Sequence, residues 1–215
     1  METPQRKVLE GFVVLEGIDG SGTTTQLERI GAMTGSHGIG AWTSFEPSDL
    51  PTGQFVRRVL SGEVAALPGT IARLFAADRH EHIFGANGAL EHLGRGELVI
   101  FDRYFFSSLA YQGMDCGFDL PFQLNAEFPL PELLLFFDLE VDIAMERVSR
   151  RPGRDIYETH GALERVRAAY QKAIGFFEDS GMRIVHIDAA SPLAEVSSRV
   201  DLEMGRIIEK KRGHG

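Results

Sequence analysis

The chain has 215 residues, of which 43% are hydrophobic and 25% charged, with a formal net charge of −9. These values fit one globular domain with a full core, and the acidic balance argues against a nucleic-acid partner. The lone Cys116 excludes an internal disulfide or cysteine-based zinc site, and no apolar stretch approaches the ~20 residues that span a bilayer, so a cytoplasmic protein without a membrane partner is expected.

Residues 1–10 form a polar lead-in. The apolar run at Phe12–Glu16 predicts a buried parallel strand. A glycine-rich turn follows from Gly17 to Gly22, and a helix is predicted from about Thr24 to Met33, ending in Gly35-Ser-His-Gly38. A second strand is expected at Ala41–Phe45, before Glu46-Pro47 and a loop through Pro51. A short helix then carries Phe55, Val56, Val59 and Leu60 on one face. Pro68 opens the next helix, with Ile71, Leu74, Phe75 and Asp78 at helical spacing. That helix extends toward Leu93 across Gly85 and Gly88.

A third strand is predicted at Leu98–Phe101, followed directly by Asp102-Arg103-Tyr104. A helix over Ser107–Tyr111 is expected to break at Gly113, with a short helix at Leu120–Asn125. The fourth strand is Leu133–Asp138 and its helix Val141–Val148. The basic segment from Ser149 to Asp155 contains proline and glycine. A long helix at His160–Asp179, a fifth strand at Arg183–Asp188 and a last helix at Leu193–Ile208 complete the order, with a frayed basic tail from Lys210. Strands alternating with helices predict an α/β fold: a five-stranded parallel sheet between two helical layers. Ligands of such sheets bind at the carboxyl ends of the strands. Gly17–Thr24, Glu46-Pro47, Asp102-Arg103 and Asp138 all fall there.

Gly17-x-x-x-x-Gly22-x-Thr24 fits the spacing of a phosphate-binding loop except at the lysine, where Thr23 stands. Backbone N–H groups in such a loop can still cradle an anion, helped by the helix N-terminus. Thr24 can offer a hydroxyl to Mg²⁺ between phosphates. What is lost is a mobile positive charge. Arg79 follows Phe75 by one helical turn, so ring and guanidinium face the same way. Alone, Phe75 reads as a core residue; beside Arg79 it also reads as a platform for a base. Arg103 is placed to fork onto a phosphate. Arg147, Arg150, Arg151 and Arg154 read equally as a surface loop or as a cationic lid.

The segments Leu-Glu-Gly-Ile-Asp-Gly-Ser-Gly (15–22), Leu-Phe-Ala-Ala-Asp-Arg (74–79) and Asp-Arg-Tyr (102–104) with Ser-Ser-Leu-Ala-Tyr-Gln-Gly (107–113) together resemble the thymidylate kinases, a family with the P-loop kinase fold. The resemblance runs from Phe12 to about Ile208. It implies a single domain, 1–215, with a lid at about 149–159. Gly17, Ile18, Asp19, Gly20, Ser21, Gly22, Thr23, Thr24 and Arg150 would bind ATP, and Thr24 with Asp102 would hold Mg²⁺. Phe75, Arg79, Arg103, Ser108, Tyr111 and Gln112 would bind dTMP, and Asp19, Arg103 and Arg154 would act in catalysis. A homodimer is implied as well. Two departures stand out: Thr23 for lysine, and Phe45 before Glu-Pro where many bacterial members carry arginine, with Ser48-Asp49 in place of a glycine pair. The expected activity is transfer of the ATP γ-phosphoryl group to dTMP. The alternatives are a kinase for another pyrimidine deoxynucleotide and a non-catalytic nucleotide-binding module.

Overall fold

The structure, a computed structural model, describes residues 6–149 and 160–213. Five strands form one parallel sheet: β1 (Val8–Gly17), β2 (Ala41–Phe45), β3 (Leu98–Asp102), β4 (Leu130–Asp138) and β5 (Arg183–Asp188). Their spatial order is β2-β3-β1-β4-β5. The middle strands β3, β1 and β4 are apolar on both faces, and Phe12–Leu15, Leu98–Phe101 and Leu133–Leu135 are sealed from solvent. The edge strands are more open: β2 has no fully buried residue, and β5 buries Val185 and Ile187 while exposing His186 and Asp188. Gly11, at φ +76°, marks the shift of β1 register against β4 between Leu9 and Val13; its N–H donates to Glu132 Oε2 at 2.7 Å.

Helices flank the sheet, giving the expected α/β architecture. α1 (Thr23–Ser36) packs with α9 (Leu193–Gly213), tied by Gln26 Nε2 donating to Ser197 Oγ at 3.1 Å. A second group comprises α3 (Pro68–Phe84), α5 (Phe105–Cys116), α6 (Asp119–Leu124) and α8 (His160–Gly175). Between them the core is aromatic. Phe12 meets the edges of Phe101 and Tyr104, each at 5.2 Å between centroids, and Phe105 stacks on Phe106 at 4.2 Å. α2 (Pro51–Leu60), α4 (Ala89–Gly94) and α7 (Val141–Ser149) complete the helices of the described residues. Among these residues, no helix is long and apolar enough to cross a membrane.

Five expectations need correction. β1 begins at Val8, inside the expected lead-in, and β4 at Leu130 rather than Leu133, because Val8 and Leu9 pair with Leu130 and Pro131. The helix opened by Pro68 ends at Phe84, and α4 is separate; a Cβ on Gly85 would lie 2.4 Å from the Glu81 carbonyl, so the chain turns there. Gly113 does not break α5, which runs on to Cys116 and stops at Gly117, φ +81°. α8 ends at Gly175, four residues early, because Phe177 turns inward against Phe105 and Phe106. The C-terminal tail is helical through Gly213. Lys210 pairs with Glu10 and Glu132, and Arg212 donates to the His37 carbonyl at 2.7 Å.

Candidate active site

β1 delivers Gly17 to the carboxyl edge of the sheet, and the loop through Gly22 leads into α1. A Cβ on Gly17 would meet Ser21 Oγ at 2.5 Å and the Phe137 carbonyl at 2.8 Å, so the close approach requires glycine. Gly22 adopts φ +92° as the N-cap of α1, a left-handed conformation that costs glycine nothing. Thr23 is buried in the first helical turn. Thr24 Oγ1 reaches across to β3 and donates to Asp102 Oδ2 at 2.7 Å, while Asp102 Oδ1 is buried without a hydrogen-bond partner.

On one side of this loop lies a cavity lined by Asp19, Glu46, Phe75, Arg79, Arg103, Ser107, Tyr111 and Gln112, among others. Arg103 follows β3 at φ +74°, rare for a bulky residue. Its backbone N–H donates to the Leu15 carbonyl at 2.8 Å. Its Nη2 donates to Asp19 Oδ1 at 2.6 Å, and Nη1 makes longer contacts, 3.4 Å each, with the hydroxyls of Tyr111 and Tyr170. Tyr111 donates to the other Asp19 oxygen at 3.0 Å. Burial pushes the Tyr111 phenol well above its usual range, so it remains a donor.

Arg79, the largest fully buried side chain, forms the floor. Its Nε and Nη2 bond Glu46 Oε2 at 2.8 and 2.5 Å, Nη1 bonds Asn125 Oδ1 at 2.5 Å, and Nη2 also reaches Ser108 Oγ at 3.3 Å. A guanidinium has five N–H donors, so these bonds leave one, on Nη1. Gln112 Oε1 is buried with no hydrogen-bond partner. Behind the wall, Glu16 is sealed from solvent. Its Oε1 accepts the N–H groups of Tyr104 (2.7 Å) and Ser107 (3.1 Å), and its Oε2 lies 2.6 Å from Ser107 Oγ and 2.9 Å from the Tyr170 hydroxyl. Those two hydroxyls are themselves 2.7 Å apart. Three oxygen–oxygen contacts call for three protons and the hydroxyls carry two. Burial, only partly offset by the bonds from Ser107 and by Arg103, raises the Glu16 pKa to about 7.

A second cavity opens on the other side of the loop, against Gly20, Ser21, Gly22, Thr25 and Gln26. Its far wall includes Ala189 and Ser191, after β5. Arg147, on α7, bridges the two sides: Nη1 donates to the Gly20 carbonyl at 3.2 Å and Nη2 to the Ala189 carbonyl at 3.0 Å. One phosphate-type loop therefore borders two cavities, with Asp19 facing the first.

The profile described as thymidylate kinase matches residues 15–200. The chain belongs to the thymidylate kinase family. A Treponema pallidum protein provisionally named a thymidylate kinase is 37% identical over 196 residues, 90% of this chain and 94% of its own. The thymidylate kinase of Leptospira interrogans is 36% identical over 167 residues, 76% of this chain and 81% of its own. That of Pseudomonas fluorescens is 34% identical over 211 residues, covering 94% and 98%.

Within this thymidylate kinase fold, Asp19, Phe75, Arg79, Arg103, Tyr111 and Gln112 line one cavity. Ser108 bonds Arg79, and its neighbour Ser107 is the serine that lines the cavity. Arg150, Arg151 and Arg154, with the rest of the expected lid at 150–159, lie outside the described residues. Several residues escaped the sequence reading. Asn125 and Tyr170 reach the site from distant helices and carry no local signal. Glu16 stands within the first motif as an apparent strand residue. Glu46 is expected at a strand end but not as the partner of Arg79, and Arg147, grouped with the loop arginines, stands on α7 and bonds the Gly20 and Ala189 carbonyls.

Proposed function

We propose that this chain transfers the γ-phosphoryl group of ATP to dTMP, giving dTDP and ADP on the way to dTTP. The observation that carries the reading is that two residues lining the acceptor cavity each keep an unused hydrogen-bonding group. Arg79 keeps one Nη1 donor, and Gln112 Oε1 is an acceptor without a partner. Thymine presents a carbonyl oxygen beside a ring N–H, which this donor and acceptor complement. Cytosine presents an amino group beside a bare nitrogen and would leave both unsatisfied. Phe75 offers a ring face for the base, and Tyr111 closes the sugar side, favouring deoxyribose.

Arg103 would bind the acceptor phosphate, exchanging part of its bond to Asp19 for phosphate oxygens. An oxygen of that phosphate is already ionised at neutral pH, so the attack needs no strong general base. The protein's task is to hold acceptor and donor in line and to offset charge. Gly17, Ile18, Asp19, Gly20, Ser21, Gly22, Thr23 and Thr24 would take the donor phosphates, and the cavity at Arg147 and Ala189 would take the donor's base. The donor set at Thr24 and Asp102 suits Mg²⁺, which takes one or two protein oxygens and completes its shell with phosphates and water; the orphaned Asp102 Oδ1 fits that use. When bound, the ion would offset charge on the donor phosphates. By resemblance Arg150 would bind ATP and Arg154 would act in catalysis, and one of Arg150, Arg151 and Arg154 is the proposed stand-in for the missing loop lysine.

The same reading takes the chain as one catalytic domain working in the cytoplasm as a homodimer. Exposed Phe55 and Leu67 supply apolar surface for a second copy, and sedimentation tests this. The deciding assay follows ADP production with ATP, Mg²⁺ and dTMP, beside Thr23→Lys and with dUMP, dCMP and thymidine as rival acceptors. Turnover that requires dTMP supports the reading. Preference for a rival acceptor, or silence in both wild type and Thr23→Lys, overturns it.

A further inference from the structure

We infer that Glu16 is the positioning residue for Arg103: its buried carboxylate fixes the backbone turn and the tyrosine that hold the guanidinium over the acceptor cavity. The inference rests on the reading of Arg103 as the acceptor-phosphate ligand, and it concerns a residue on a different strand that touches no substrate.

The geometry brackets Arg103 from both sides. Its own N–H is held by the Leu15 carbonyl, and the next N–H, that of Tyr104, by Glu16 Oε1. Two consecutive residues of β1 therefore grip two consecutive amides of the turn after β3. A bulky residue at φ +74° costs energy, of order 1–3 kcal/mol, and persists only where its surroundings over-determine it. Glu16 is part of that over-determination. Oε1 also takes the Ser107 N–H, in the first turn of α5, where an acceptor supplied from outside replaces the side-chain cap that Tyr104 does not make.

Oε2 carries the second link. It binds the hydroxyls of Ser107 and Tyr170, and Tyr170 in turn contacts Arg103 Nη1 at 3.4 Å. Tyr170 stands on α8 and its ring meets Tyr111 edge-on at 6.0 Å. Glu16 thus sets both the main-chain conformation of Arg103 and one of the oxygens around its guanidinium. Among the described residues, every side-chain hydrogen bond of Glu16 lies on this side, toward Tyr104, Ser107 and Tyr170. A carboxylate whose only purpose was to fill space could be replaced by an apolar residue at little cost. One that positions Arg103 could not.

The test compares Glu16→Ala, Glu16→Gln and Tyr170→Phe, each alone and with Arg103→Ala, by titration with dTMP and with ATP. Glu16→Ala is expected to weaken dTMP binding about tenfold or more, and ATP binding by less than about twofold. Glu16→Gln keeps an acceptor for both amides and can donate to both hydroxyls, so it should restore most of the loss. In the Arg103→Ala background neither change at Glu16 should weaken dTMP binding further, because the effect runs through Arg103. Tyr170→Phe covers the case in which Glu16→Ala fails to fold, and should weaken dTMP binding alone.

Equal losses for ATP and dTMP, additivity with Arg103→Ala, or unchanged dTMP affinity in folded Glu16→Ala and Tyr170→Phe would each overturn the inference. A readout without substrate separates it from the kinase reading. The ¹⁵N–H guanidinium signal of Arg103 in the free protein, assigned with Arg103→Lys, should shift in Glu16→Ala and Tyr170→Phe. A wild type that ignores dTMP would sink the thymidylate reading, and this signal would still decide the role of Glu16: a shift supports it and an unmoved signal overturns it.

Discussion

Arg79 and Glu46 form an ion pair with Nη2 and Oε2 2.5 Å apart and both side chains all but closed off from solvent, 1% and 2% exposed. Burying such a pair is expensive, and it persists because Asn125 and Ser108 satisfy further guanidinium donors. Removing one partner leaves the other as an uncompensated buried charge. Arg79→Ala should therefore cost about 3–5 kcal/mol of folding stability as well as dTMP affinity. Urea denaturation reads the first and titration the second. Loss of affinity with stability unchanged would mean that Glu46 finds another partner.

Gly53 offers a sharper steric test. A Cβ there would lie 2.1 Å from the Ser48 carbonyl oxygen and 2.5 Å from its nitrogen, both backbone atoms. Ser48 cannot retreat, because its N–H and hydroxyl bond Asp78 at 2.7 and 2.6 Å. Gly53→Ala is expected to destabilise by roughly 2–4 kcal/mol. It should also displace Glu46-Pro47 at the cavity wall and raise the KM for the acceptor. Thermal melting and steady-state kinetics check the two effects.

Glu16 makes stability depend on pH. Burial raises its pKa from 4.5 to about 7. The unfolded chain releases this proton near 4.5 and the folded chain only near 7, so between those values the folded state holds the extra proton and stability falls as pH rises. Below 4.5 the contribution is whole; above 7 it is gone. Glu16→Gln lacks the titration. Relative to that variant, wild type should lose about 3 kcal/mol between pH 4.5 and 7.5. Urea midpoints for both proteins at four pH values provide the check; parallel curves would refute it.

Asp102 is the residue through which metal removal can be read. Chelation should abolish turnover, and added Mg²⁺ should restore it. Asp102→Asn keeps an acceptor for Thr24 but loses the charge at Oδ1, so the Mg²⁺ concentration for half-maximal rate should rise about tenfold or more. An unchanged Mg²⁺ requirement would remove Asp102 from the metal's surroundings.

The sequence made the sheet legible because its three middle strands carry apolar runs, Phe12–Leu15, Leu98–Phe101 and Leu133–Phe137. β2 and β5 matched their expected bounds residue for residue. Where boundaries failed, a tertiary contact outweighed a local one. Gly113 breaks helices on average, yet α5 continues because its first two turns are buried along their whole circumference. Lys210 and Arg212 read as a loose tail because their partners, Glu10, Glu132 and His37, lie far away in the chain. The candidate site divides along the same line. Phe75 with Arg79, and Asp102 with Arg103, are neighbours in sequence and could be seen as pairs. Asn125 and Tyr170 belong to the site only because the fold carries α6 and α8 to it.

The strand order has a consequence for how the chain comes into being. β1 is made before the other four strands and becomes the centre of the sheet, yet both its neighbours are made much later: β3 begins at Leu98 and β4 at Leu130. Until β3 is made, the fully buried run Phe12–Leu15 has two open edges and nothing beside it. Parallel pairing over such long separations is slow and exposes nascent chains to aggregation. Synthesis pauses before Leu130, or limited chaperone supply, should therefore reduce soluble yield more than pauses placed after Asp138.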